Sequence, residues 1–470
     1  MASTPTSKTP VRPPIEPPTL PPAATTWTRS DGAAIALLVG AIVALFWKPL
    51  FTSSMLYYRD IYNYTYPIAR LIHESCRQGF LPYWNPYLNY GQPLLANPNY
   101  LFFYPYTAFI ILLPLKFAYT MFYVLHFAVG AVGTYLLARR WNQSRLAAFF
   151  AASFFTFSGP ILSLGNLYNH AACAAWIPWA LLMTERVLSD QNVRAWLLLT
   201  LVFSLQFLAA EPFTMMATFG LCVVYAFFRR GVWRPCLSPI NLRILAGFFL
   251  VGCLMIALCA VQFFPASDFL GQARRGATGL AFKETTHWSF HPLSLVELVV
   301  PDFFGTTVTA PSAWTRIVGD NSDPYFISVF VGCIPFFFAL AGWTLSDEKR
   351  RNFIAGAALV LWLISLGRFT PVFSLAYLLV PLLSLVRFPV KLLVLIVLMV
   401  ALLAGWGFDA LRLNAASLRN RSGCALRPLQ VFLALVAAVW LVAWVAPRVI
   451  ASPALWALRA ADHPAAEATQ

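Results

Sequence analysis

The chain has 470 residues, of which 59% are hydrophobic, 16% aromatic and only 11% charged, with a mean hydropathy of +0.68 and a formal net charge of +15. That balance excludes an ordinary soluble globule and predicts an all-α polytopic membrane protein, because the apolar runs are continuous rather than alternating and so do not read as a β-barrel. The positive charge does not point to nucleic acid: the basic residues cluster in short loops beside apolar runs, where they set membrane orientation.

Residues 1–28 are rich in Pro, Thr and Ser, as in Pro13-Pro14-Ile15-Glu16-Pro17-Pro18, and are expected to form a disordered cytoplasmic tail. A transmembrane domain then covers 29–450, followed by a short C-terminal tail over 451–470. The first apolar run, Ala33–Trp47, starts too late for a signal peptide and lacks a small-residue cleavage site, so it is expected to stay as an anchor. Residues 52–116 make the first extracytoplasmic loop. Within it, Leu101–Leu115 is taken as a surface helix, since a span there would leave Arg139-Arg140 outside.

Phe117–Ala138 is the next strong span and ends in a cytoplasmic cluster from Arg139 to Arg145. Leu146–Leu164 goes out and Ala171–Met183 returns to Glu185-Arg186. A hairpin of Ala195–Ala210 and Phe213–Phe228 turns outside at Glu211-Pro212 and lands on Arg229-Arg230. Leu242–Phe264 leads out to the second large loop, 265–324, which is the fourth on the outer face. Tyr325–Trp343 comes back to the charged run Asp347–Arg351, and Phe353–Leu366 goes out again.

Phe369–Val386 is apolar enough to cross but is broken by Pro371 and Pro381. Were it a span, the loop carrying Arg412, Arg419, Arg421 and Arg427 would fall outside, so it is taken as re-entrant or lying on the surface. Leu392–Phe408 and Val431–Val445 then complete about eleven spans with a cytoplasmic N-terminus. Both large loops and the segment Arg387-Phe388-Pro389-Val390-Lys391 meet on one outer face as a result.

The chemistry concentrates there. Asp60 follows the first span among Tyr57, Tyr58, Tyr62 and Tyr66, where partial desolvation makes a carboxylate a stronger base than in water. A salt bridge to Arg59 or Arg70 that only pins the loop accounts for it too. Arg387 and Lys391 stand four apart around Pro389, a pairing that suits a phosphate but equally suits snorkelling anchors. Arg274 and Arg275 carry the same double reading. Trp84-Asn85-Pro86-Tyr87 and Asn97-Pro98-Asn99 mix aromatic faces with amides, which fits a sugar site or an aromatic belt with Asn-Pro turns. Tyr66, Trp84, Asn85, Asn97, His287 and His291 are thus the candidates for sugar or acceptor contact.

His287 and His291, with Pro292 next door, are expected to form hydrogen bonds rather than hold a metal. Glu211-Pro212 and Asn166…Asn169-His170 sit at outer span ends, placed to line the same cavity. Asn63-Tyr64-Thr65 is a formal sequon, and Asp320-Asn321-Ser322-Asp323 reads as a solvated turn. The eight cysteines show no zinc spacing, and Cys76 is expected to be a free thiol. No Walker loop, dinucleotide fingerprint or Asp-x-Asp motif occurs, so energy for a reaction would arrive in an activated substrate delivered from the membrane.

The run Asp60…Tyr66-Pro67…Gly79-Phe80-Leu81-Pro82-Tyr83-Trp84-Asn85-Pro86-Tyr87…Gly91-Gln92-Pro93-Leu94-Leu95-Ala96-Asn97-Pro98…Tyr104-Pro105 resembles the bacterial YfhO-like membrane proteins of the GT-C glycosyltransferase superfamily. Phe157-Ser158-Gly159, Ala175-Trp176-Ile177-Pro178-Trp179, Tyr325–Gly332 and Arg387–Lys391 extend the likeness, which spans about residues 33 to 410. Many relatives run longer, with additional spans and an extracytoplasmic domain. The resemblance implies a GT-C-like bundle in the bacterial inner membrane and an inverting sugar transferase whose donor is a polyprenyl-phosphate sugar. Its acceptor would be an extracytoplasmic glycan, lipid or protein. It assigns the base to Asp60 and the donor phosphate to Arg387, Lys391, Arg275 and Arg274, with no cofactor and no metal. A lipid transporter or flippase, and a non-catalytic membrane scaffold, are the rival expectations.

Overall fold

The structure, a computed structural model, describes residues 28–445 apart from 89, 191, 232–238, 274–275, 277, 305–323 and 414–422. The expected tails at 1–27 and 451–470, the pair Arg274 and Arg275, and the turn Asp320–Asp323 therefore lie outside the described residues. The chain is mostly helical, and its strand content among the described residues is one antiparallel pair, Trp84–Asn85 with Gln92–Pro93.

Helix α1 is Arg29–Leu45, and after the first loop, with its amphipathic helix α2 (Tyr66–Arg77), comes α3 (Leu115–Arg140). Then follow α4 (Arg145–Phe157), α5 (Tyr168–Ala175), α6 (Ile177–Asp190), α7 (Val193–Leu208) and α8 (Pro212–Arg230). Next are α9 (Pro239–Leu258), α10 (Ala260–Gln272), α11 (Cys333–Leu345), α12 (Arg351–Ser365), α13 (Pro371–Leu379), α14 (Leu393–Leu413) and α15 (Gly423–Val445).

Among the described residues, four helical stretches are long and apolar enough to cross a membrane: Leu115–Arg140, Pro212–Arg230, Asn241–Leu258 and Pro389–Arg412. A fifth crossing arises if α4 and the segment Gly159–Asn166, bent by 45°, count as one span. This is the make-up of an all-α membrane protein.

Helix α14 is the axis of the bundle. As far as Phe408 it is apolar on every side, and Val394, Leu395, Leu398, Met399, Leu402 and Ala404 are all fully buried, as befits a helix enclosed by others. Small residues let α11 lie directly on it. A methyl group added at Gly342 would stand 1.9 Å from the Leu403 carbonyl oxygen, and one at Gly407 would stand 1.8 Å from that of Phe338. Close backbone approach through small residues is how helices associate where lipid removes the hydrophobic incentive.

The expected span Tyr325–Trp343 is broken by partners distant in the chain. It is helical only from Cys333, because the chain before it serves other backbone. Phe330 accepts the Gly159 N–H at 2.7 Å, while Ser328 exchanges bonds of 3.0 and 3.1 Å with the Ser163 hydroxyl. Leu101–Leu115 contains only the six-residue helix Thr107–Leu112, and Phe369–Val386 contains the nine-residue α13 and a short turn, Pro381–Leu385. Both are far shorter than the roughly 20 residues a crossing needs.

Buried charge marks the two ends of the bundle. At one end, Asp31 near the start of α1 accepts from Tyr135 at 2.7 Å and Arg139 at 3.1 Å, with Arg145 at 3.4 Å. Glu185, near the end of α6, pairs there with Arg229 and Arg350, each at 3.0 Å. These arginines belong to the basic clusters expected in the cytoplasm. The first loop, the α7–α8 turn and the start of α14 gather at the opposite end.

Candidate functional site

At that opposite end lies a cleft of about 520 Å³, within the size range of small-molecule sites. Its charged side chains come from three separate stretches of chain, Arg59 and Asp60, Glu211, and Arg387 with Lys391, and the His287 imidazole comes from a fourth. Tyr64, Asn169, His170, Trp288, Tyr325 and Phe388 complete the polar and aromatic wall.

Two straps hold these stretches in register. Phe388 donates its N–H to Thr285 O at 3.1 Å and Val390 donates to Trp288 O at 3.2 Å, which fixes the 285–290 loop against the Arg387–Lys391 turn. The same loop is tied to the end of α12, where Phe290 N–H bonds Ser365 O at 2.8 Å and the Ser289 hydroxyl accepts Arg368 N–H at 3.2 Å. Gly367 makes this possible: with φ of +52°, a methyl group there would stand 2.0 Å from Ser289 Oγ. Arg59 anchors the first loop to the second by donating to Pro324 O at 2.6 Å.

The backbone around the cleft is held in uncommon conformations. Arg59, Ala210, Trp288 and Phe388 have φ of 37°, 55°, 52° and 73°, and all four line it. Left-handed backbone in residues other than glycine costs energy and collects where surrounding structure fixes a functional geometry. Directly after Asp60, residues Ile61–Thr65 wind as a π-helix, a widened turn that recurs at functional sites. The Thr65 hydroxyl bonds Tyr119 OH at 2.5 Å and closes that turn onto α3.

The electrostatics divide the cleft into a rim and a floor. Asp60 is half-buried at the rim, its side chain 48% exposed, with Arg59 Nε 4.0 Å away. Partial burial pushes its carboxyl above the usual aspartate value and the nearby guanidinium only partly offsets this. The geometry thus keeps the Arg59 contact loose and leaves Asp60 open to the cleft. Arg387 lies over the Phe388 ring at 4.4 Å. Burial, and then the cations Arg368 and Arg387, push His287 below its usual value, so the imidazole is neutral near pH 7.

On the floor, Lys391 Nζ meets Glu211 Oε1 at 2.5 Å, and Glu211 Oε2 accepts the Thr214 N–H at 2.7 Å. His170 spans Thr214 and Tyr325, with contacts of 3.1 and 3.2 Å. Asn169 lines the cleft with its amide nitrogen buried and unbonded, and neighbouring Asn166 has both side-chain polar atoms in that state. The Asn169 amide thus offers the cleft a hydrogen-bond donor not committed to another side chain.

Of the residues singled out in the sequence, Asp60, His287, Arg387 and Lys391 come together here, as do Glu211, Asn169 and His170. Asn99 of the Asn97-Pro98-Asn99 motif lines it as well, whereas Tyr66, Trp84, Asn85, Asn97 and His291 do not. Asn85 and Asn97 are buried and hold turns, accepting the N–H of Tyr87 at 3.0 Å and of Asn99 at 3.1 Å. Trp84 is exposed on the short hairpin, and Tyr66 sets its ring edge-on to Tyr119 at 5.1 Å. His291 lines a smaller adjoining pocket, where its Nδ1 accepts the Leu293 N–H at 3.2 Å. Among the described residues no group of three metal-ligating side chains gathers, and Cys76 is a free thiol.

Sequence reasoning passed over Trp288, Tyr325 and Phe388, whose rings pack within 4.4 to 5.7 Å of one another. Their signal was available: an aromatic between His287 and Ser289, and another between Arg387 and Pro389, both inside polar loop segments. No protein-family model and no curated protein matches the chain.

Proposed function

We propose that the chain is a membrane glycosyltransferase that moves a sugar from a polyprenyl-phosphate donor to a hydroxyl of an extracytoplasmic glycan, lipid or protein. In this reading about eleven spans cross the bacterial inner membrane, the N-terminus is cytoplasmic, and the cleft opens at the outer leaflet. The carrying observation is that one half-buried carboxylate, Asp60, shares a cleft with Arg59, Arg387 and Lys391, although up to about 330 residues separate them.

That arrangement suits the charges of the reaction. The Asp60 carboxylate takes the proton of the acceptor hydroxyl, whose oxygen attacks the anomeric carbon from the face opposite the phosphate. The bond from that carbon to the phosphate oxygen breaks and its electron pair leaves with the lipid phosphate. Configuration inverts. Among the described residues, the three cations outnumber the two carboxylates, Asp60 and Glu211, by one, which suits a monoanionic phosphodiester. When Asp60 gains its proton the excess grows by one charge, while the released monoester reaches roughly −1.5 to −2 at pH 7. Cations already in position then favour the separated charge of the transition state over the bound donor.

The neutral imidazole of His287 and the amide of Asn169 supply hydrogen-bonding groups for sugar hydroxyls, and Trp288 and Tyr325 supply ring faces. The test is transfer of radiolabelled sugar from a synthetic polyprenyl-phosphate sugar in proteoliposomes, comparing the natural chain with Asp60→Asn. Loss of a general base lowers turnover about 10²- to 10⁴-fold. Expression of the variant should be unchanged. Full turnover by Asp60→Asn removes Asp60 from the chemistry, and label that crosses the bilayer without a new glycosidic bond marks a transporter.

A further inference from the structure

Among the described residues, the cleft holds two ion pairs of unlike character. Arg59 and Asp60 face each other at 4.0 Å on the rim, whereas Lys391 and Glu211 meet at 2.5 Å with only 13% and 5% of their side chains exposed. Behind Lys391 the rings of Tyr325 and Phe388 lie 5.6 and 5.3 Å from the ammonium, so it sits against π-faces with a carboxylate in front. A lysine in this state is a weak phosphate ligand, because its charge is already matched and desolvated. It nevertheless lines the same cavity as Arg59 and Arg387, and an anion entering there competes with Glu211 for one ammonium group.

We propose that Glu211 stands in for the donor's phosphate: it holds Lys391 on the cleft floor until a lipid phosphate takes the ammonium over, and so sets how tightly the cleft binds that phosphate. This rests on the cleft being a phosphate site, though not on sugar transfer. An empty cleft needs such a placeholder, since a buried ammonium without a counter-charge is strongly destabilising. The exchange does not strand Glu211 either. Its Oε2 keeps the Thr214 N–H at 2.7 Å, and it caps α8, where the helix dipole favours negative charge.

The competition also makes the cleft selective. A neutral polyprenol gains nothing from Lys391, and a single carboxylate only replaces like with like. A phosphate bridges Lys391 and the Arg387 guanidinium at once, which an internal carboxylate cannot do from the floor.

The experiment measures binding of a polyprenyl monophosphate to the full chain in lipid nanodiscs, read by tryptophan fluorescence, with the matching polyprenol and inorganic phosphate in parallel. Glu211→Gln releases Lys391 and is expected to tighten lipid-phosphate binding on the order of tenfold, or about 1.4 kcal/mol. Glu211→Asp draws the carboxylate back by one methylene and gives a smaller gain, so it decides the matter if Glu211→Gln does not fold. Lys391→Met weakens binding and abolishes the gain when combined with Glu211→Gln.

The assignment is overturned by unchanged or weaker binding in the folded Glu211 variant, by a gain that survives Lys391→Met, by an equal gain for the polyprenol, or by a gain for inorganic phosphate alone. If binding follows the expected pattern while no sugar is transferred, the transferase proposal fails and the role of Glu211 stands. Transfer that depends on Asp60 without a Glu211 effect is the reverse case.

Discussion

Lys391 and Glu211 are 180 positions apart in the chain, yet their side chains meet at 2.5 Å and join the start of α14 to the start of α8. Both are nearly inaccessible, so each charge depends on the other. Lys391→Met should leave Glu211 buried without its counter-charge and cost about 3–5 kcal/mol. The check is the thermal unfolding midpoint in detergent, where Lys391→Met falls well below the natural chain and Lys391→Met with Glu211→Gln recovers most of the loss. Equal midpoints for all three would mean that the pair does not support the fold.

Ala210 sits next to Glu211 with φ of 55°, a conformation that costs an alanine roughly 1–2 kcal/mol. Ala210→Gly relieves that cost, although glycine also loosens the unfolded chain. A net stabilisation of about 0.5–1 kcal/mol is expected from the balance, visible as a higher unfolding midpoint. Transfer should fall in the same variant, because the α7–α8 turn no longer dictates where Glu211 stands. A lower midpoint would show that the left-handed turn carries no strain.

The sequence carried the helical class, the basic clusters and the gathering of Asp60, His287, Arg387 and Lys391, because charge placement and apolar run length act over single segments. It did not carry the breaks. Nothing local announces that Phe330 spends its carbonyl on Gly159, or that Ser328 bonds Ser163, since those partners lie about 170 residues away. Asn85 and Asn97 looked like sugar ligands for a related reason. An asparagine that caps a turn and one that faces a cleft share the same composition, and only the fold separates them. The ion pair of Lys391 was likewise invisible: the sequence places Glu211 at an outer span end near the same cavity, but it does not say which cation, 180 positions away, it meets.

The contact of α11 with α14 rests on the absence of side chains at Gly342 and Gly407. Gly342→Val puts branched carbon where the Leu403 carbonyl already stands, 1.9 Å from the position of an added methyl group, so the helices must part. Overpacking of this kind costs about 1–3 kcal/mol or more. Yield of folded protein by size-exclusion chromatography and the thermal midpoint should both drop. Gly356→Ala is the control, since nothing lies within 4 Å of a methyl group there, and it should leave the yield unchanged and the midpoint equal or slightly raised.

If Asp60 is the base, its raised proton affinity fixes the acid side of the pH profile. The active form is the carboxylate, so kcat/KM rises with pH as Asp60 loses its proton. Because partial burial lifts its pKa, that rise is expected above the ~3.9 of a solvated aspartate. Arg59 opposes the lift by stabilising the charged form. Arg59→Gln removes that opposition and should move the acid limb to higher pH, whereas loss of a merely structural contact would lower the rate without moving it. His287→Gln should leave the limb in place, because the titrating group is the Asp60 carboxyl and not the imidazole, which burial and the neighbouring arginines push below its usual value. An acid limb that stays fixed in Arg59→Gln but shifts in His287→Gln would transfer the titration, and with it the role of base, from Asp60 to His287.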